Sequence, residues 1–98
     1  MSNMLLRDAI DTFQYYIKTE TKPGTVSFYQ YYLRRLKEEL GHFECNQITK
    51  HHIVKYLHDR KAENPQISNA TLNKHIITFK RVLNRVCEIK FEYSKFKE

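Results

Sequence analysis

Only four residues in the chain are strong helix breakers, and they fall in three places: Pro23-Gly24, Gly41 and Pro65. A Pro inside a helix costs about 3 kcal/mol and a Gly about 1 kcal/mol relative to Ala, so their positions mark where helices end. Between them lie long stretches with nothing to stop a helix. A β-sandwich would need turn formers every ~8–12 residues, which this chain lacks. The sequence therefore reads as all-α. With 98 residues it has room for a single domain. A domain of this size buries roughly two-thirds of its unfolded surface, enough for one core.

Hydrophobic periodicity fills these stretches with four helices. The first is expected over about Leu5 to Lys18, where Leu6, Ala9, Ile10, Phe13 and Ile17 recur at the i, i+3, i+4 spacing of one buried face. Tyr16 borders that face and Tyr15 points away. The second is expected from about Thr25, as N-cap, to Leu40, with Gly41 as a left-handed stop. Its stripe is Val26, Tyr29, Leu33, Leu36 and Leu40. The third runs from about Lys50 to Ala62 behind a Thr49 cap, with Ile53, Tyr56 and Leu57 inward and the Arg60 stem along the same side. Pro65 then breaks the chain, because the residue before Pro avoids the helical region. The fourth and longest runs from about Asn69, capped by Ser68, to Lys90, with Leu72, Ile76, Phe79, Leu83 and Val86 as its stripe. The domain so defined spans residues 5–90, and residues 91–98 read as a tail or the start of a linker.

The charge is uneven. The chain carries a net +6, and residues 41–98 hold eleven basic against six acidic groups, while residues 1–40 hold six against five. A basic half points to nucleic acid or an anionic surface. No apolar run approaches the ~18–20 residues of a membrane span, and the start lacks the basic and long apolar regions of a signal peptide. Cys45 and Cys87 match no metal or redox spacing and read as reduced thiols. A cytoplasmic protein is expected, with no membrane partner.

The outer face of the fourth helix carries the most chemistry. At about 100° per residue, Lys74, Arg81 and Arg85 fall within ~40° of one another, opposite Leu72, Ile76 and Phe79. Thr78 flanks them, with Asn73 and Asn84 on the other side. Between Ser68 and Lys90 five groups are basic and only Glu88 is acidic. A solvated face mixes both signs at i, i+4 spacing, whereas phosphates need cations and base edges need amides and hydroxyls. Helix two adds Ser27, Gln30, Tyr31, Arg34 and Arg35 on its outer side, with Phe28 beside Arg35. Lys22 and Thr25 stand at its start, where the helix dipole favours a phosphate. Tyr29 belongs to the core stripe and Tyr32 to its edge, which leaves Phe28 and Tyr31 exposed on a candidate contact surface.

His51, Lys55 and His58 share the outer face of helix three, but no HExxH or CxxC spacing accompanies them, so no metal and no cofactor is expected. No nucleophile motif and no glycine-rich phosphate loop occurs.

Taken in order, these elements resemble the N-terminal core-binding, SAM-like domain of tyrosine recombinases, the phage integrase family. The resemblance runs from the helix with Phe13 and Tyr16, through Thr25-Val26-Ser27-Phe28-Tyr29, Leu33, Leu36 and Leu40-Gly41. It continues through Ile48-Thr49, Ile53 and Tyr56-Leu57 to Ser68-Asn69-Ala70-Thr71-Leu72-Asn73 and a long basic helix. It covers residues 5 to 90. It implies a four-helix orthogonal bundle, sometimes with a short fifth helix, that clamps double-stranded DNA together with a C-terminal catalytic domain. Helices two and four would face the DNA. Lys22 and Thr25 would meet phosphate, and Asn73, Lys74, Arg81 and Arg85 would line the helix-four surface.

The family's catalytic His-x-x-Arg element does not occur here, since His51 is followed by His-Ile-Val and His75 by Ile-Ile-Thr. None of the tyrosines matches the nucleophile's context. The expectation is a DNA-binding part of a recombinase from a phage or other mobile element in a prokaryotic cell. It would position a core site for integration or recombination by an absent catalytic domain and act with other protomers on DNA, without itself being an enzyme. The expected DNA-binding residues are Lys22, Thr25, Ser27, Arg34, Asn73, Lys74, Thr78, Arg81 and Arg85. Two alternatives compete: a helical protein-interaction module using Phe28, Tyr31 and the aromatic tail, and a metal enzyme using His51, His52 and His58.

Overall fold

A computed structural model of the chain describes residues 4–93. It is a helical bundle of α1 (Leu6–Glu20), α2 (Pro23–Leu40), α3 (Lys50–Glu63) and α4 (Asn69–Val82). A short 3-10 turn (Cys45–Gln47) precedes α3, and a π-helical turn (Leu83–Cys87) continues α4. The five inward residues expected of α1 are all buried, as are Tyr29, Leu33, Leu36 and Leu40 of α2 and Leu72, Ile76, Phe79 and Leu83 of the last helix. Each buried Leu, Ile or Phe among them contributes about 1.5–3 kcal/mol of hydrophobic stabilisation. Among the described residues no helix is long and apolar enough to cross a membrane.

Three helix ends differ from the sequence reading. α2 begins earlier, with Lys22 as the extended N-cap residue and Pro23 in the first position, so Thr25 lies inside the first turn and does not cap it. Pro suits that position because its fixed φ is already helical and its missing N–H would have no partner there. Gly41 is right-handed (φ −61°, ψ −24°), not a left-handed stop. It is needed for closeness: its carbonyl accepts the Arg7 amide at 3.2 Å, and a Cβ there would collide with the Lys37 carbonyl and stand 3.1 Å from the Arg7 Cβ. The left-handed residue is Glu88 (φ 57°), which ends the π turn.

That turn also shortens the last helix from the expected Lys90 to Cys87. A π turn holds more residues than an α turn, so it shifts the buried stripe. Cys87 becomes buried, whereas Val86 is only half-buried. Cys87 thereby reaches Cys45, and both thiols are free and buried. Burial first, and then the hydrogen-bonding Cys87 neighbour, pushes the Cys45 thiol up to about 12, so it is protonated at neutral pH.

The start of α1 carries no side-chain cap. Two of its first amides are satisfied by the segment that follows α2: Leu6 N–H donates to the Phe43 carbonyl at 2.8 Å and Arg7 N–H to the Gly41 carbonyl at 3.2 Å, while Cys45 N–H donates back to the Met4 carbonyl at 2.8 Å. At α3, Thr49 does cap, and its own amide donates to His52 Nδ1 at 2.9 Å.

A polar cluster inside the bundle joins α2, α3 and α4. Arg60 is 2% exposed, lies 4.7 Å over the Tyr56 ring, and pairs with Glu63 at 3.1 Å and Glu39 at 3.4 Å. Arg35 crosses from α2 to Glu63 at 2.7 Å, so it stitches helices together and does not stand on an open outer face. Tyr56 and the buried His75 share a 3.0 Å hydrogen bond between the hydroxyl and Nδ1. The His75 ring also meets the edge of Tyr32 at 4.7 Å. Desolvation, followed by the charges of Arg60 and Arg35, lowers His75 to about 4 and keeps it neutral.

Candidate nucleic-acid interface

The seam between α2 and α4 brings cations onto aromatic rings. Lys74 Nζ stands 5.7 Å from the Phe28 ring centroid, and the Arg81 guanidinium stands 5.9 Å from that of Tyr29. Arg81 also donates a hydrogen bond to the Tyr29 hydroxyl. The Arg85 guanidinium lies 4.9 Å over Tyr16 and pairs with Glu20 at 2.5 Å. A cation–π contact at an exposed site is worth about 0.5–1 kcal/mol. That is enough to orient these side chains and too little to hold them against a phosphate.

Beside this seam runs an open groove of about 1180 Å³, bounded by the C-terminal part of α1, the start of α2, α3, α4 and residues 89–93. Apolar Phe13, Ile17, Val54 and Ile77 share its lining with five cations: Lys50, Lys80, Arg81, Arg85 and Lys90. Glu92 is the one acid among the described residues that line it. The groove is therefore both strongly positive and partly apolar, which suits a polyanion with flat or methylated faces.

The residues expected to bind are divided by the fold. Thr25, Arg81 and Arg85 line the groove, and Lys74 stands exposed further along α4. Asn73 is half-buried, and Lys22 is exposed at the start of α2. Ser27 and Arg34 instead line a separate, smaller hollow with Gln14, Gln30 and Lys37. Arg34 is exposed there and makes a loose, solvent-screened pair with Glu38 at 3.6 Å, as Arg85 makes a closer one with Glu20.

Thr78 does not lie on the outer face. It is fully buried, with its hydroxyl donating to the Lys74 carbonyl at 2.8 Å, so it presents nothing to a ligand. The start of α2 is also a poorer anion cradle than a Thr25-capped helix would be. Pro23 brings no N–H, and the Thr25 amide already donates to the Lys22 carbonyl at 3.0 Å.

Phe28 and Tyr31 stand 43% and 45% exposed, as the helix-two pattern requires. Residues 91–93 of the aromatic tail are described, with Phe91 edge-on to Phe79 at 5.0 Å and Lys50 Nζ over the Tyr93 ring at 5.4 Å. The rest of the tail, residues 94–98, lies outside the described residues. No group of three or more potential metal ligands forms among the described residues. Ile77 was missed by periodicity, although consecutive Ile76-Ile77 is a signal that one of the two must leave the core.

The fold and this face together define a small all-α bundle with a basic, aromatic-lined surface along its second and fourth helices. The chain matches the family model described as phage integrase, N-terminal SAM-like domain over residues 10–85, and it belongs to that family. The match begins inside α1 and ends at Arg85 in the π turn. No match to a curated protein or to a solved structure was found.

Proposed function

We propose that the chain binds double-stranded DNA along the α2–α4 seam and its adjoining groove. In this reading it holds the core site of a recombination reaction in place for strand exchange by a catalytic domain. The observation that carries it is the gathering of Lys50, Lys80, Arg81, Arg85 and Lys90 on one groove that Arg81 shares with Thr25. Arg81 is steadied by Tyr29, and Lys74 by Phe28. The chain's own role is binding and positioning: cations meet phosphates, and the outer face of α4 meets base edges. Bond breaking would fall to residues of a catalytic domain, and other recombinase protomers would assemble on the same DNA. A cytoplasmic, prokaryotic or phage-encoded setting fits this reading.

Amide shift mapping by NMR tests the surface. Adding a duplex should move resonances of α4 and the π turn from Ala70 to Asn84 and of the start of α2, and leave the hollow around Ser27 and Arg34 unchanged. Shifts centred on Tyr31 and Arg34, or none at all, would contradict the assignment. A protein-docking surface built on Phe28 and Tyr31 would instead show association that ignores salt.

A further inference from the structure

Ile77 is 45% exposed on α4, whose inward face is formed by Leu72, His75, Ile76, Phe79 and Val82. At about 100° per residue it lies opposite the middle of that buried stripe, at the outermost line of the helix. Lys74 and Arg81 sit three residues before and four residues after it, and Asn84 follows two turns on. A solvated helix surface gains nothing from a β-branched apolar residue, since Ile is a poorer helix former than Lys, Glu or Ala. Ile77 also shares the groove lining with Arg81 and Asn84, so it faces whatever the cations hold.

The chemistry of the neighbours selects the occupant. Cations before and after it on the helix call for a polyanion, and an exposed apolar residue between them calls for an apolar spot on it. In the DNA major groove that spot is the thymine methyl group, and an amide such as that of Asn84 pairs with adenine N6 and N7. An α-helix with side chains is ~10–12 Å across, and the major groove is ~12 Å wide.

We infer that Ile77 is a base-reading residue of the proposed DNA site, seating against a thymine methyl and biasing the site toward A·T pairs. The inference rests on the DNA-binding reading and adds sequence preference to it. Lys74 and Arg81 set where α4 sits on the backbone, and Ile77 reports on the base beneath.

The test selects duplexes from a randomised pool with the full chain, then replaces each thymine of the enriched duplex in turn by deoxyuridine, which removes only the methyl. Affinities are measured for the wild type and for Ile77→Ala, a change at an exposed helical position. One replacement should weaken the wild type about fourfold, the value of one buried methyl. Ile77→Ala should start about fourfold weaker and be indifferent to that replacement. Salt-sensitive binding with no sequence enrichment, no effect of any replacement, or full affinity in Ile77→Ala would overturn the inference and leave DNA binding standing. Failure to bind any duplex would remove both.

Discussion

Arg81 of α4 and Tyr29 of α2 meet twice: the guanidinium donates to the tyrosine hydroxyl and stands 5.9 Å from the ring centroid. Tyr29 is itself a core residue, buried and edge-on to Phe13 at 5.5 Å. A cation on the surface is thus aimed by a ring that the bundle already holds rigid. This links packing to binding, because an oriented cation loses less rotamer freedom when it meets a phosphate.

Tyr29→Phe isolates that link. The ring and its packing remain, and only the hydroxyl is lost, so stability should change by no more than about 1 kcal/mol. Duplex affinity should fall about two- to tenfold. Thermal melting and fluorescence anisotropy on the same variant check both halves.

His75 makes the fold sensitive to acid. Its folded value of about 4 lies below the ordinary 6.5, so the unfolded chain takes up the proton first. The contribution is fully present above about pH 6.5 and is lost as the pH falls towards 4. The whole shift corresponds to about 3 kcal/mol. His75→Gln, which keeps an acceptor for the Tyr56 hydroxyl, should lose that part of the pH dependence. Urea denaturation of both proteins from pH 4 to pH 7 should show the two stability curves diverging in this window.

The Arg60 cluster is asymmetric. Arg60 is buried, whereas the side chains of its partners Glu39 and Glu63 are 38% and 56% exposed. Removing the arginine leaves two carboxylates that water can reach, while removing the acids strands a buried cation. Glu39→Gln with Glu63→Gln should therefore cost more, about 3–5 kcal/mol, than the near-isosteric Arg60→Met. Denaturant midpoints rank the two directly, and the reverse order would contradict this account of the cluster.

Much of this was legible in the sequence because hydrophobic period and breakers are local signals. The inward stripes of α1 and α2, the Thr49 and Ser68 caps and the break at Pro65 all follow from residue type and spacing. What could not be read there depends on neighbours distant in the chain. Gly41 looked like a left-handed stop, but its role is set by the approach of Arg7. Constant rotation per residue cannot foresee a π turn, so the meeting of Cys87 with Cys45 was hidden. Thr78 falls beside the cations on a helical wheel, yet packing around α4 is wide enough to bury it. The division of Arg81 from Arg34 between two hollows likewise depends on where α1 and α3 lie.

Salt dependence of duplex binding, compared between the wild type and Lys74→Ala with Arg81→Ala, tests the central claim most directly. If about four phosphates are neutralised, raising salt from roughly 50 to 200 mM should weaken wild-type binding on the order of a hundredfold. The double variant should stay folded, bind more weakly at low salt, and show a log–log slope flatter by about 2. Unchanged affinity and an unchanged slope would place the DNA elsewhere on the molecule or exclude it altogether.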